Sequence, residues 1–568
     1  MVRRLSAAGM IVFLDRVERI NGAFAVPKPD GGLRFIFNGT AANEVFFEPP
    51  RVDLPTPSHV AELEVPGGAA VFVAKTDLSD FFHSFRVEPW LLPFFAMPAV
   101  RAGDVGAMGC EADSMVFPCL ATVPMGWNWS VLCTQEAHRF VLYSRTSARK
   151  QDELGAPDKV INRPRHGLYV DDFMQLVTEP ALRRARHLRG EYLDATRAVG
   201  WVAKPAKMID FTARPTDLLG ILFDGVRASY GLSPDKIAGL IARTLQLCEV
   251  GSVTMAHLRA ILGSRCWALL VRRPAFSVLE HVFGQLDPLA RPQRRVQLWR
   301  TSVRELLCLV DLAPLLRASL GAPWFDTVFA VDASEDGLGG VLDAGKKVDA
   351  QACAQLGRAC FELASGRQGR RASWSQGSSR TLPRPAARAV TPPPRPVVDV
   401  VGEEDSAAGE RRFAWDTALR GARWVVFHAS PVQRQEHITS LEVLAVRTIP
   451  LRVASTPGGI GSRILFLSDS AVALGALRKG RSSSHAMNLR CRQVAAHVLA
   501  ADLFLLGLWV STQLNPADEP SRRFGLPQAR GRPGPPSNEP GSADRREGPT
   551  ACRRWSPLWW RRATSRRR

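Results

Sequence analysis

The sequence predicts an α+β protein built from several domains, and three observations carry that prediction. At 568 residues the chain is too long for one hydrophobic core, since domains run to about 100–200 residues. Short apolar runs of strand length, such as Val71-Phe72-Val73-Ala74 and Gly167-Leu168-Tyr169-Val170, are mixed with helical stretches through residues 1–225, without the regular alternation of a βαβ array. The composition, 46% hydrophobic and 23% charged, supplies enough apolar side chains for these segments to bury.

The elements follow in order. After residue 225 the pattern becomes helical. Ser233-Pro234-Asp235 reads as a helix start, with a hydroxyl cap, proline in the first turn and an acid at the positive dipole end. Ile237, Leu240, Ile241 and Leu245 then recur at helical spacing, and a second helix is expected around Leu258, Ile261 and Leu262. From Val328 strands return, first Val328-Phe329-Ala330-Val331 with a Gly-rich turn expected at 337–340, later Ile464-Leu465-Phe466-Leu467. Residues 366–412, rich in Arg, Ser and Pro, hold too few apolar side chains to fold and read as an insertion. The chain from 523 onward reads as a disordered basic tail, in which residues 526–568 hold eleven Arg against three acids.

Charge narrows the partners. Lys and Arg number 74 against 54 Asp and Glu, a formal net charge of +20 that favours a polyanion, nucleic acid first. Only ten of the 74 are Lys, so the arginine excess also fits the codon bias of a GC-rich genome. The ten Cys contain no CxxC pair, which points to reduced thiols and an intracellular protein, in nucleus or cytoplasm. No signal-peptide h-region and no long uncharged apolar run are present, so no membrane partner is expected. The most apolar stretch, 495–510, carries Asp502 and reads as a buried helix.

Two sets of carboxylates carry chemistry. Asp77 ends one apolar strand, and 94 residues later Tyr169-Val170-Asp171-Asp172 closes another in a hairpin-like setting. Like charges held close raise each other's pKa, and a divalent cation is the usual relief. Two Mg²⁺ ions on such a set stabilise both the attacking 3′-oxygen and the leaving pyrophosphate of nucleotidyl transfer. On its own, an Asp-Asp pair reads more simply as a solvated turn.

The surrounding motifs decide between these. Asp77-Leu78-Ser79-Asp80-Phe81-Phe82, Val123-Pro124-Met125-Gly126-Trp127 and Tyr169-Val170-Asp171-Asp172 are followed by Lys204, Lys207 and Leu218-Leu219-Gly220. In this order they resemble the palm motifs of reverse transcriptases, over roughly residues 20–225. The resemblance implies that Asp77, Asp171 and Asp172 are catalytic metal ligands and that the Phe82 ring excludes a ribose 2′-OH. It also implies that Met125 and Gly126 lie beside the nucleotide and template, that Lys28 and Arg34 hold the incoming triphosphate, and that Lys207 gives a proton to pyrophosphate. Met125 departs from the Gln of many retroviral relatives, and Trp129 from their small residue.

The second set is Asp332 after a strand, Glu442 on the apolar-faced helix His437-Ile438-Thr439-Ser440-Leu441-Glu442, Asp469 after a strand, and Asp518 in Asn515-Pro516-Ala517-Asp518. Each alone is an ordinary polar residue at the end of an element. Together they resemble the carboxylate set of ribonuclease H over about 325–522, with wording most like retrotransposons of the DIRS type. The resemblance implies that all four are catalytic and hold two Mg²⁺ ions to cleave the RNA strand of a hybrid. The 110-residue gap from Asp332 to Glu442 requires the Pro/Arg-rich stretch to be an insertion, and the 509–518 loop lacks the His of many cellular relatives.

The expectation is therefore a right-hand polymerase with fingers and palm at 1–225, a helical thumb or connection at 226–320, a ribonuclease H-like mixed α/β domain at 321–522 and the tail at 523–568. Its cofactor would be Mg²⁺, with Mn²⁺ as a substitute. Its partners would be an RNA template, a DNA primer, an RNA–DNA hybrid and deoxynucleoside triphosphates. Oligomeric state is open. The alternative is a catalytically impaired retroelement relic that only binds nucleic acid. No Asp-Ser/Thr-Gly protease signature and no zinc-knuckle spacing are present.

Overall fold

The structure, a computed structural model, describes residues 1–27, 31–107, 109–287, 289–345, 349–358 and 415–524. Lys28, the expected insertion at 366–412 and nearly all of the expected tail lie outside the described residues. The fold is mixed α/β, and residues 1–525 form one compact unit.

Near the N-terminus, β1 (Gly22–Pro27) and β2 (Leu33–Asn38) form an antiparallel hairpin. β3 (Val71–Asp77) is apolar from Val71 to Ala74 and mostly buried along its length, as befits a strand with neighbours on both sides. Helix α1 (Ser130–Arg145) precedes β4 (Arg165–Tyr169) and β5 (Asp172–Thr178), and α2 (Leu182–Ala198) leads to β6 (Ile209–Thr212). These strands make an antiparallel sheet in the order β4-β5-β3-β6. A second four-stranded sheet follows, in which Leu219, at φ 55°, turns the chain between Thr216–Leu218 and Ile221–Asp224.

Three helices, α3 (Pro234–Val250), α4 (Met255–Leu269) and α5 (Arg300–Leu312), build a separate apolar core around Leu258, Leu262 and Leu306. The Ser233 hydroxyl accepts the Lys236 N–H at the start of α3, and Gly251 closes it in the left-handed region.

The C-terminal sheet contains β7 (Phe329–Ala333), β8 (Gly337–Asp343) and β9 (Trp424–Pro431). After α6 (Ile438–Val446) come β10 (Arg463–Ser468), α7 (Ala471–Lys479), α8 (His485–Ala500), β11 (Phe504–Trp509) and the short α9 (Asp518–Arg522). The strand order is β9-β8-β7-β10-β11, with β7, β10 and β11 parallel and the others antiparallel.

Two expectations are corrected here. Residues 337–340 are not the turn but the start of β8, because the reversal is made earlier, by the Ser334 hydroxyl accepting the N–H groups of Asp336 and Gly337. The glycines serve packing instead: α9 lies so close that a Cβ on Gly339 would meet Ala517 O at 2.5 Å and Ser521 N at 2.6 Å. The stretch 495–510 is not one helix. Asp502 adopts φ 49° and its carboxylate pairs with Arg272 at 2.9 Å, which ends α8 and sends residues 504–509 into a strand beside β10.

One guanidinium ties the two halves together. Arg463, on β10, is 4% exposed and donates to the carbonyls of Leu63 (2.7 Å), Ser319 (3.3 Å) and Leu320 (3.3 Å). It also lies 5.3 Å from the Phe504 ring centre. Replacing Arg463 by Met keeps the volume but removes that donor from three carbonyls, and we expect a loss of about 2–4 kcal/mol in urea unfolding; an unchanged midpoint would contradict this account.

Candidate metal centres

Register alone brings the first acids together. Asp77, the last residue of β3, lies directly opposite Asp172, the first residue of β5, and Asp172 in turn faces Tyr169 across the Val170-Asp171 turn. The Leu78 N–H donates to Asp171 O at 3.0 Å, so the turn folds back over the end of β3. Three carboxylates thus share the end of one sheet.

Lysines answer their charge. Lys204 Nζ lies 3.1 Å from Asp77 Oδ1 and Lys207 Nζ 3.0 Å from Oδ2, while Lys75 Nζ lies 3.1 Å from Asp172 Oδ2. Burial pushes the Asp171 and Asp172 carboxyls above the usual range, each further raised by Asp77, and lysines pull in the other direction. The Lys207 ammonium is held above its ordinary pKa, chiefly by its hydrogen bond to Asp77. Of these lysines, Lys75 escaped the sequence reading. Its signal was its position: two residues before Asp77 on a strand, it shares that residue's face.

The neighbouring expected residues fall as follows. Phe82 lies in the short turn Phe81–Ser84, half-buried between the apolar clusters around Phe95 and Trp201. Gly126 packs against the end of β2, where a Cβ would strike the Phe37 carbonyl, and its own carbonyl accepts from Asn43 Nδ2 at 3.0 Å. Met125 beside it is exposed, as is Arg34 on β2 opposite Val26. Of the arginines in the helical region that could face phosphates, Arg243, Arg259, Arg265, Arg272 and Arg273, most are engaged within the protein, Arg273 with the Ser58 hydroxyl at 2.7 Å. Arg265 bonds Thr244 and the Leu240 carbonyl, Arg272 bonds Asp502, and Arg259 bonds the Asp287 carbonyl, whereas Arg243 is exposed.

The second set is tighter. β7 and β10 run parallel with Ala330 opposite Leu467, which sets Asp332 and Asp469 level at adjacent strand ends, and α6 packs against β7 to bring in Glu442. One oxygen from each of Asp332, Glu442 and Asp469 falls within 4.8 Å of the others, a group able to hold a metal ion. Among the described residues Asp77, Asp171 and Asp172 do not form such a group. Asp518 stands beside the tighter group, adding to the field on Asp332, but its Oδ1 accepts from Arg522 at 2.8 Å.

Hydrogen bonds aim this group. The Ser521 hydroxyl donates to Asp332 Oδ2 at 2.5 Å, Asn515 Nδ2 reaches Asp469 Oδ1 at 3.2 Å, and the Thr512 hydroxyl donates to Asp469 Oδ2 at 2.7 Å. Glu442 Oε2 is buried with no hydrogen-bond partner. Burial first and the Asp469 charge second push Asp332 up to about 7; burial, then Asp332 and Asp469, push Glu442 up to about 8. An unpartnered buried oxygen and two carboxylates reluctant to ionise together are the features a divalent cation resolves, so the donor set fits one.

No protein-family model matches the sequence, and no curated protein matches it. Among solved structures, the chain is similar to a foamy viral protease-reverse transcriptase in complex with double-stranded DNA, at 12% identity and a TM-score of 0.40, covering 89% of this chain and 67% of that one. A second structure described in the same terms gives 16% identity and a TM-score of 0.38 over 64% of this chain and 70% of that one. The foamy viral protein in complex with an RNA/DNA hybrid gives 12% identity and 0.38, over 91% and 74%. Among the described residues no helix is long and apolar enough to cross a membrane.

The raised carboxyls set a pH dependence. The unfolded chain releases the Asp332 and Glu442 protons near pH 4, the folded metal-free protein only near 7 and 8, so these two groups lower stability as pH rises from about 4 to about 8. Glu442→Gln should flatten that fall. Mn²⁺ binds the ionised form, so its stabilisation in thermal unfolding should be larger at pH 8 than at pH 6, and mostly lost in Glu442→Gln.

Proposed function

We propose that the chain is an RNA-directed DNA polymerase carrying a ribonuclease H, as a retroelement encodes. The observation that carries the reading is the register that sets Asp77 opposite Asp172 with Asp171 in the adjoining turn. In this reading residues 1–225 form fingers and palm, 226–320 a thumb or connection, and 321–522 the nuclease. Asp77, Asp171 and Asp172 would hold Mg²⁺ or Mn²⁺ at the polymerase centre, and Asp332, Glu442, Asp469 and Asp518 would do so at the nuclease. Bound ions would supply activation of the attacking oxygen and neutralisation of the leaving group at both places.

The chain's own residues have separate tasks. Phe82, half-buried in the turn that follows the strand carrying Asp77, would set its ring against a ribose 2′-OH. Lys207, held protonated by Asp77, is a proton source near departing pyrophosphate. Arg34, on the exposed β1–β2 hairpin, offers a guanidinium to the triphosphate. At the nuclease, Ser521, Asn515 and Thr512 orient carboxylates before substrate arrives. The partners in this reading are the RNA template, the DNA primer, the RNA–DNA hybrid and deoxynucleoside triphosphates.

A second reading, a retroelement relic that binds nucleic acid without chemistry, is favoured by one observation: lysines engage both oxygens of Asp77. Primer extension on an RNA template with Mg²⁺ separates the two. Asp171→Asn should lower incorporation by at least about 100-fold, and Asp332→Asn should abolish cleavage of a labelled RNA–DNA hybrid while leaving incorporation intact. Equal incorporation by parent and Asp171→Asn would overturn the polymerase assignment. Tight hybrid binding by a parent that neither extends nor cuts would favour the relic.

Sugar choice gives an independent check. Phe82→Ala should raise ribonucleotide incorporation relative to deoxyribonucleotide by about tenfold or more. An unchanged ratio in steady-state kinetics would return Phe82 to simple packing.

A further inference from the structure

The turn that presents Asp171 and Asp172 is strained, and the strain has a visible support. Val170 has φ 55°, the left-handed region, where a β-branched side chain meets its own backbone. Glycine or asparagine is the usual occupant of such a position, and neither is there. Two side chains of helix α1 hold this turn from behind. Gln135, fully buried, accepts the Val170 N–H on Oε1 at 2.8 Å and donates from Nε2 to the Leu168 carbonyl at 3.0 Å.

His138, one turn further along α1 and also fully buried, lies with Nδ1 2.7 Å from the Val170 carbonyl and Nε2 2.9 Å from the Tyr192 hydroxyl. A carbonyl only accepts, so Nδ1 carries the proton and Nε2 accepts from Tyr192. That single tautomer matches a ring kept neutral by burial, its pKa lowered to about 4. Phe81, Trp201 and Tyr192 pack their rings against the imidazole at 5.2, 5.7 and 5.7 Å between centres, which fixes its plane. Both polar groups of Val170 and the carbonyl of Leu168 are therefore met by side chains that have no other main-chain partner.

We propose that Gln135 and His138 are positioning residues that hold the strained Val170 turn and so fix Asp171 and Asp172 against Asp77. The proposal rests on the polymerase reading for its functional meaning. Neither side chain touches the carboxylates; both act through the backbone that carries them. Strain supported in this way localises at working sites, where a single backbone geometry is needed more than a comfortable one.

The test is a cycle between Gln135→Met, which keeps the volume and removes both hydrogen bonds, and Val170→Gly, which removes the conformational strain. In primer extension Gln135→Met should lower kcat by about 10- to 100-fold while the KM for deoxynucleotide changes by less than about threefold, because misplaced carboxylates impair the step and not the binding. In the Val170→Gly background the same substitution should cost less than about threefold in kcat, and at least half of its effect on the urea midpoint should disappear. A general core role predicts equal losses in both backgrounds, and that result would overturn the proposal. His138→Phe enters the same cycle, and loss of folding by both variants in both backgrounds would likewise assign the two side chains to the core alone. A parent protein that extends no primer would remove the polymerase reading, while the urea cycle would still decide whether the two side chains hold the turn.

Discussion

Both candidate sites depend on holding carboxylates of like charge together around the ends of neighbouring strands. Sheet geometry makes the juxtaposition unavoidable, since residues opposite one another in a ladder are about 5 Å apart. The two sites offset the repulsion differently. At Asp77, Asp171 and Asp172 three ammonium groups are drawn in, and the carboxylates stay spread. At Asp332, Glu442 and Asp469 no lysine intrudes among the described contacts, hydroxyl and amide donors aim the oxygens, and the group holds protons that a cation would displace. Lysines offset part of the charge at the first centre, although Asp171 and Asp172 are still held above the usual carboxylate range, whereas no lysine is among the described partners of the second. An ion entering the first must therefore compete with lysines as well as protons, and one entering the second with protons.

What the sequence disclosed follows from how local each signal is. Strand ends bearing Asp77, Asp332 and Asp469 were legible because an apolar run that stops at an acid is a short-range pattern, and the start of α3 was legible because Ser233, Pro234 and Asp235 act within one turn. The glycines at 337–340 misled, since their reason lies in distant segments, about 180 residues away around α9 for Gly337 and Gly339 and on β9 for Gly340, and not in their own backbone. The 495–510 stretch misled similarly: Asp502 ends the helix because Arg272, from another element, is there to pair with it. Gln135 and His138 gave no motif at all. A polar residue on a helix face is silent until the fold shows which carbonyl it meets.

The arginine excess, first read as a sign of a polyanionic partner, turns out to be partly internal. Arg165, Arg265, Arg272 and Arg463 are each at most 4% exposed. A buried guanidinium has five donors, so it can cap several carbonyls that strand and helix ends leave open, and it loses less hydration than an ammonium on the way in. Arg272 and Arg463 use this together. Arg272 lies 4.3 Å from the Phe504 ring centre, Arg463 5.3 Å from it, and between them they reach the carbonyls of Val498, Leu503, Leu63, Ser319 and Leu320. The first residue of β11 is thus fastened to the helical layer and to the segments that flank the N-terminal sheet at once. Both carboxylate sets belong to that one compact unit. The spacing between the two sets is therefore held in part by these internal cations, so part of the positive charge acts on the fold and not on a partner's surface.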